Sequence, residues 1–197
     1  GYLRPFAWRG SEMMAISAQN TTIHVAIATW EMSTYFDKKK KFNGIKLQTS
    51  KWMRPPSETA PTNAKAAGLY MICTLSKHIA EKNGFDDSLM LDSNGYVAES
   101  TGANIFLVKN NKLYTPVADC FLNGITRQTV IDLARKNNIN VTEKRIYPKE
   151  LFNADEIFLT GTAVEITPIS QIDKKKFKVG QITQRLITLF ENLVKND

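Results

Sequence analysis

Lys65 is the side chain in this sequence best placed to do covalent chemistry. Its neighbours Ala64, Ala66, Ala67 and Gly68 are all small. They give little cover to a surface ammonium, but they clear room beside the amine for a flat ligand. An amine that condenses with an aldehyde to an imine needs that setting, where a phosphate-bearing ring and partial desolvation lower its pKa. The competing reading is a solvated lysine at the start of a helix, the ordinary place for a lysine.

Three further features point to an anion site with a carboxylate beside it. Gly124-Ile125-Thr126 opens a helical pattern, where free backbone N–H groups and the helix dipole favour a phosphate. Gly161-Thr162-Ala163 follows a strand end and offers a second set of backbone and hydroxyl donors. Glu99 closes the apolar stretch Val97-Ala98-Glu99, where a carboxylate must find a partner or carry a heavy desolvation cost. A protonated ring nitrogen would be such a partner. Each feature alone also has an ordinary reading, since Gly-x-Thr before a helix is a common cap.

The elements that must position these residues follow from periodicity and turn signals. Apolar positions Leu69, Ile72, Cys73, Leu75 and Ile79 recur at helical spacing up to Asn83-Gly84, so a helix is predicted from Lys65 onward, with Lys65 near its N-terminus. Residues 88–99 around Ser93-Asn94-Gly95, and residues 104–115 around Asn110-Asn111, read as hairpins. Helices are predicted over 126–136, 148–153 and 182–194, and strands over 140–145, 156–160 and 166–172. Earlier in the chain, Ile23 to Ala28 reads as a buried strand with His24 as a core residue. Lys38 to Lys41 reads as a solvated hairpin tip, and Ile45 to Thr49 as the next strand. Three prolines make Lys51 to Pro61 a crossing loop, and Lys174 to Lys176 is a second exposed tip.

At 197 residues, 43% apolar and 23% charged, the composition is that of a soluble globular protein able to bury a full core. The net charge of +7 admits an anionic ligand or nucleic acid. No aromatic-basic interleaving supports the nucleic-acid reading. Cys73 and Cys120 form no Cys-x-x-Cys pair and no metal-ligand cluster, so neither a disulfide framework nor a metal site is expected, and a cytoplasmic setting is. No apolar run approaches the ~18 residues of a membrane-spanning helix, and Gly1-Tyr2-Leu3-Arg4 is not built like a signal peptide.

Five stretches, in order, resemble the branched-chain amino acid aminotransferases of the fold-type IV class of pyridoxal phosphate enzymes. They are Tyr2-Leu3-Arg4-Pro5, the run from Pro61 to Tyr70, the run from Glu99 to Phe106, Gly124-Ile125-Thr126-Arg127, and the run from Gly161 to Pro168. The resemblance implies an α+β fold: a mixed, largely antiparallel sheet or pseudo-barrel with flanking helices, as in the large domain of that class. It divides the chain into an interdomain linker region and first strands over 1–44 and a cofactor-binding large domain over 45–197.

The resemblance also implies roles. Lys65 would form the imine with pyridoxal phosphate and shuttle the substrate α-proton, Glu99 would face the pyridine nitrogen, and Tyr70 the phenolic oxygen. Ile125, Thr126 and Thr162 would hold the phosphate, with Leu122 against the ring. Thr162 and Ala163 would face the substrate carboxylate, and Tyr2, Arg4 and Tyr35 would line the substrate pocket. The implied reaction is transamination between leucine, isoleucine or valine and 2-oxoglutarate, by a homodimer or larger homo-oligomer. D-amino acid aminotransferase and aminodeoxychorismate lyase belong to the same class and stand as alternatives, as does a fragment that binds the cofactor without turnover. Three positions depart from the family pattern: Met32 where a tryptophan is frequent, Asn123 where a proline is, and Ala103 where a glutamate is. The family also carries a small domain before Tyr-x-Arg-Pro, with a phosphate-binding arginine, and this chain starts at that motif.

Overall fold

The computed structural model describes residues 1–32 and 35–195. The backbone gathers into two compact units, residues 1–35 and 36–197. The first is a ribbon of β1 (Tyr2–Arg9) and β2 (Ile23–Trp30), paired antiparallel from Tyr2↔Trp30 to Arg9↔Ile23. The strand expected to be buried is present but open to solvent: Ile23, Val25 and Ile27 are exposed. Two strands cannot cover both of their own faces. His24 is accordingly exposed rather than a core residue, and it stacks on Trp8 with ring centroids 5.4 Å apart.

The second unit begins with α1 (Lys38–Asn43), where a hairpin tip was expected. Asp37 caps it by accepting from the Lys40 N–H at 2.9 Å, and Lys40 reaches Asp86 at 2.7 Å. Lysine favours helix over hairpin once a cap is present. Gly44 ends the helix at φ +83°, where any Cβ would lie 2.8 Å from the Ser170 backbone nitrogen. Strands β3 (Ile45–Thr49), β4 (Asp87–Leu91), β5 (Val97–Ser100), β6 (Asn104–Lys109), β7 (Lys112–Thr115), β8 (Val141–Glu143), β9 (Glu156–Gly161), β10 (Glu165–Ile172) and β11 (Lys175–Lys176) make one mixed sheet. Helices α2 (Met71–Lys82), α3 (Ile125–Lys136), α4 (Pro148–Phe152) and α5 (Gln181–Lys195) complete the unit.

The sheet closes on itself through β10-β3-β4-β5-β6-β9 and back to β10. Closure depends on β10 changing partner along its length: Glu165 to Pro168 pair with β9, and the residues from Ile169 pair with β3. Pro168 has no N–H to give and stands at the change. The pairs β10/β3, β3/β4 and β7/β8 are parallel and the others antiparallel, so the expected mixed, largely antiparallel pseudo-barrel is what forms. Both expected hairpins are present, and Asn110 and Asn111 take φ of 50° and 59°, the left-handed pair that a two-residue turn requires.

Alternation along β6 and β9 separates two cores. Ile105, Leu107, Ile157 and Leu159 join Ile45, Leu47 and Leu89 in one cluster. Phe106, Val108 and Phe158 join Val130 and Ile131 of α3 and Leu186 of α5 in the other. Both faces of these strands are buried, which explains why they read as unbroken apolar runs.

Candidate active site

A cavity of about 350 Å³ opens in the second unit. Lys65, Tyr70, Glu99, Leu122, Ile125, Thr126 and Thr162 all line it, as do Arg54 and Asn104. Ala163, next to Thr162, is not among the lining residues, while Tyr2, Arg4 and Tyr35 are carried by the first unit.

Lys65 is not on a helix. It lies between a turn at residues 62–64 and a 3-10 turn, Ala67–Tyr70, that leads into α2. Its side chain is exposed rather than desolvated, and Nζ donates to the Tyr70 hydroxyl at 2.8 Å while lying 5.3 Å from that ring's centroid. The lone small-residue stretch therefore exposes the amine to the cavity, and the turn brings Tyr70 back to hold it.

Glu99, at the end of β5, is buried. Asn104, its Cα partner on β6, donates to Oε2 at 3.2 Å, and Arg54 Nε lies 3.4 Å from Oε1. Burial pushes the Glu99 carboxyl up to about 8; the charges of Arg54 and Lys65 offset part of this and that of Asp87 adds to it. Asp87 is also raised by burial, and it accepts from the Thr101 hydroxyl at 2.5 Å. A carboxyl held this way is receptive to a cation placed beside it.

The third wall is the start of α3. Gly124 is its N-cap and supplies no capping side chain, and Gly124, Ile125 and Thr126 line the cavity with Ile125 exposed. Arg127 behind them is buried, donating to Asn123 Oδ1, Pro116 O and Glu143 Oε2 at 2.7–2.8 Å. Gly124 is required by space: a Cβ there would lie 2.4 Å from Asn104 Oδ1.

Among the lining residues given no site role by the sequence reading are Arg54 and Asn104. Asn104 was visible inside the run Glu99 to Phe106, but its contacts are not local: Nδ2 also donates to Leu122 O at 3.0 Å, and Oδ1 accepts from the Gly124 N–H at 3.2 Å. The one sequence signal for Arg54 is Pro55, which forces the preceding residue into extended backbone.

The sequence profile of the amino-transferase class IV family matches residues 1–172. A branched-chain-amino-acid aminotransferase of Pseudomonas aeruginosa is 40% identical over 196 residues, covering 98% of this chain and 64% of the relative. One from Salmonella typhimurium is 35% identical over 197 residues, again 98% and 64%. The crystal structure of a branched-chain aminotransferase from Thermoproteus uzoniensis with norvaline superposes with a TM-score of 0.94 at 36% identity, covering 99% of this chain and 65% of that one. The crystal structure of an aminotransferase from Brucella abortus bound to the co-factor PLP gives 0.84 at 33%, covering 98% and 68%. This chain thus spans 64% of the length of those two curated relatives. By its profile match and these identities, the chain belongs to the class IV aminotransferase family.

Proposed function

We propose that this chain is the cofactor-binding part of a pyridoxal phosphate-dependent aminotransferase that moves an amino group between a branched-chain L-amino acid and 2-oxoglutarate. One observation carries the reading: a reactive-type amine, a buried carboxyl and an uncapped helix N-terminus line a single cavity. Its volume falls in the range of small-ligand sites. The donor set also fits the cofactor, since the carboxyl lacks a full counter-charge and the α3 N–H groups lack a cap.

When bound, the cofactor supplies an aldehyde that condenses with amines and a ring that takes up the electron pair left at the substrate α-carbon. Lys65 Nζ would hold the cofactor at its aldehyde carbon, the carbonyl oxygen leaving as water, and, once freed by substrate, would carry the α-proton as base and then as acid. Tyr70 keeps that amine aimed by hydrogen bonding to it. Glu99 would receive the ring nitrogen and favour its protonated form. The N–H groups of Ile125 and Thr126, with Thr162, would hold the phosphate, and Leu122 would pack on the ring. Thr162 and Ala163 take the substrate carboxylate. Tyr2, Arg4 and Tyr35 keep the side-chain selection that the resemblance assigns to them, the arginine suiting the second carboxylate of glutamate. The naming of branched-chain enzymes among the relatives supports this substrate class over the D-amino acid or lyase alternatives. The working form is a cytoplasmic homodimer or larger homo-oligomer, a reading consistent with two unpaired cysteines and with the exposed apolar residues of β1 and β2.

The test is direct. The purified protein should be yellow and lose its near-visible absorbance on borohydride reduction, with the reduced label on Lys65 in a peptide map. A label on another lysine overturns the assignment.

A further inference from the structure

Arg54 is buried, with its side chain 6% exposed, in a loop otherwise open to solvent at Trp52 and Met53. Its backbone N–H donates to Leu91 O at 2.8 Å and its extended conformation, enforced by Pro55, bridges to Asp92. The side chain is thereby directed inward. Nε is shared between Glu99 Oε1 and Cys120 O, 3.4 Å from each, and Nη1 donates to Cys73 Sγ at 3.3 Å. A carbonyl and a thiol are weak partners for a guanidinium. Burial raises the Cys73 thiol and pushes the Cys120 thiol up to about 12, so neither supplies a negative charge at neutral pH. The remaining partner is the Glu99 carboxyl, pushed up to about 8 by burial, which a cation beside it draws toward its ionised form.

The charged groups acting on Glu99 are few: Arg54 and Lys65, which favour its ionised form, and Asp87, which opposes it. Of the two cations, Lys65 is exposed, is tied to Tyr70 and is committed to the aldehyde once cofactor is present. Arg54 alone remains a cation at all stages, since guanidinium does not deprotonate in a protein.

We infer that Arg54 is a positioning residue for the cofactor: its guanidinium holds the Glu99 carboxylate in place and partly neutralised, so that the carboxylate can pair with the cofactor's ring nitrogen. The inference rests on the function proposed above. Arginine suits the task better than lysine, because it reaches Glu99, Cys73 and Cys120 at once from a planar fork.

A double-mutant cycle on the full-length protein separates this role from packing. Affinity of the apoprotein for pyridoxal 5'-phosphate is measured by absorbance titration for wild type, Arg54→Met, Glu99→Gln and the double variant, with Arg54→Lys as the conservative control. Arg54→Met should weaken binding tenfold or more when Glu99 is present and less than twofold in the Glu99→Gln background, and Arg54→Lys should recover part of the loss. An equal loss in both backgrounds means Arg54 only packs, and no loss in either means it does nothing for the cofactor; both overturn the inference. Should Arg54→Met not fold, Arg54→Lys and Arg54→Gln in the two backgrounds decide in the same way. Failure of the functional reading looks different: borohydride would then label a lysine other than Lys65 whatever the cycle gives.

Discussion

Asn104 and Glu99 are cross-strand partners on β6 and β5, and the Asn104 amide donates to the Glu99 carboxyl at 3.2 Å. The same amide group binds Leu122 O and the Gly124 N–H. One side chain thus joins the carboxyl, the backbone of Leu122 and the turn at the start of α3. Asn104→Ala takes a partner from the buried Glu99 carboxyl and from two part-buried backbone groups, Leu122 O and Gly124 N–H, at roughly 1–3 kcal/mol for the buried one. We expect cofactor affinity to fall at least tenfold and the melting temperature to drop by several degrees. An Asn104→Ala protein with wild-type affinity, measured by titration, would show that the three segments hold their places without it.

Lys65→Ala should abolish turnover, a loss beyond about a thousandfold or roughly 4 kcal/mol of transition-state stabilisation. The variant should still bind pyridoxal 5'-phosphate through the remaining lining residues, with the spectrum of the free aldehyde. Persistence of the bound amine-type spectrum would move the chemistry to another lysine.

Stability of the apoprotein should depend on pH through Glu99. The folded carboxyl, pushed up chiefly by burial, titrates near 8, while an unfolded glutamate titrates near about 4.3. Between those values the folded state binds more protons than the unfolded state. The contribution is therefore full below the unfolded pKa and is lost as pH rises through 8, amounting at most to about 3–5 kcal/mol. Asp87, also raised by burial, acts in the same direction. Thermal unfolding from pH 5 to 9 should show falling stability in wild type and a flatter profile in Glu99→Gln. Parallel profiles for the two proteins would refute the link.

Gly124→Ala tests the fit at the start of α3. Its backbone, at φ −60°, accepts alanine, but the new Cβ would lie 2.4 Å from Asn104 Oδ1. Relief requires Asn104 to move away from Glu99 or the turn to shift, an overpacking cost of about 1–3 kcal/mol. Expected readouts are a lower melting temperature and weaker cofactor binding, with most of the affinity loss absent in an Asn104→Ala background. Additive losses would mean that the clash is relieved without involving Asn104.

Local chemistry made much of this protein legible in its sequence. The turns at Asn94-Gly95 and Asn110-Asn111, the helix opened by Gly124 and the proline-rich crossing loop are written in residues with few backbone options. The family resemblance named seven residues that the fold brings to one cavity, six of them within the motif stretches. Tertiary structure decided the rest, because burial and pairing depend on distant partners. An apolar pattern could not reveal that β2 lies exposed in a two-stranded ribbon, nor a lysine run that Asp37 and Asp86 would make it a helix. Small residues around Lys65 marked the amine, but only the chain's path places it ahead of the helix and exposed. Arg54, Glu99 and Asn104 meet because β5 and β6 pair and because β4 and β5 carry the crossing loop's bridge at Asp92 beside them. Sequence specified which groups can react; closure of the sheet, a cooperative outcome of many non-local contacts, determined which of them share a cavity.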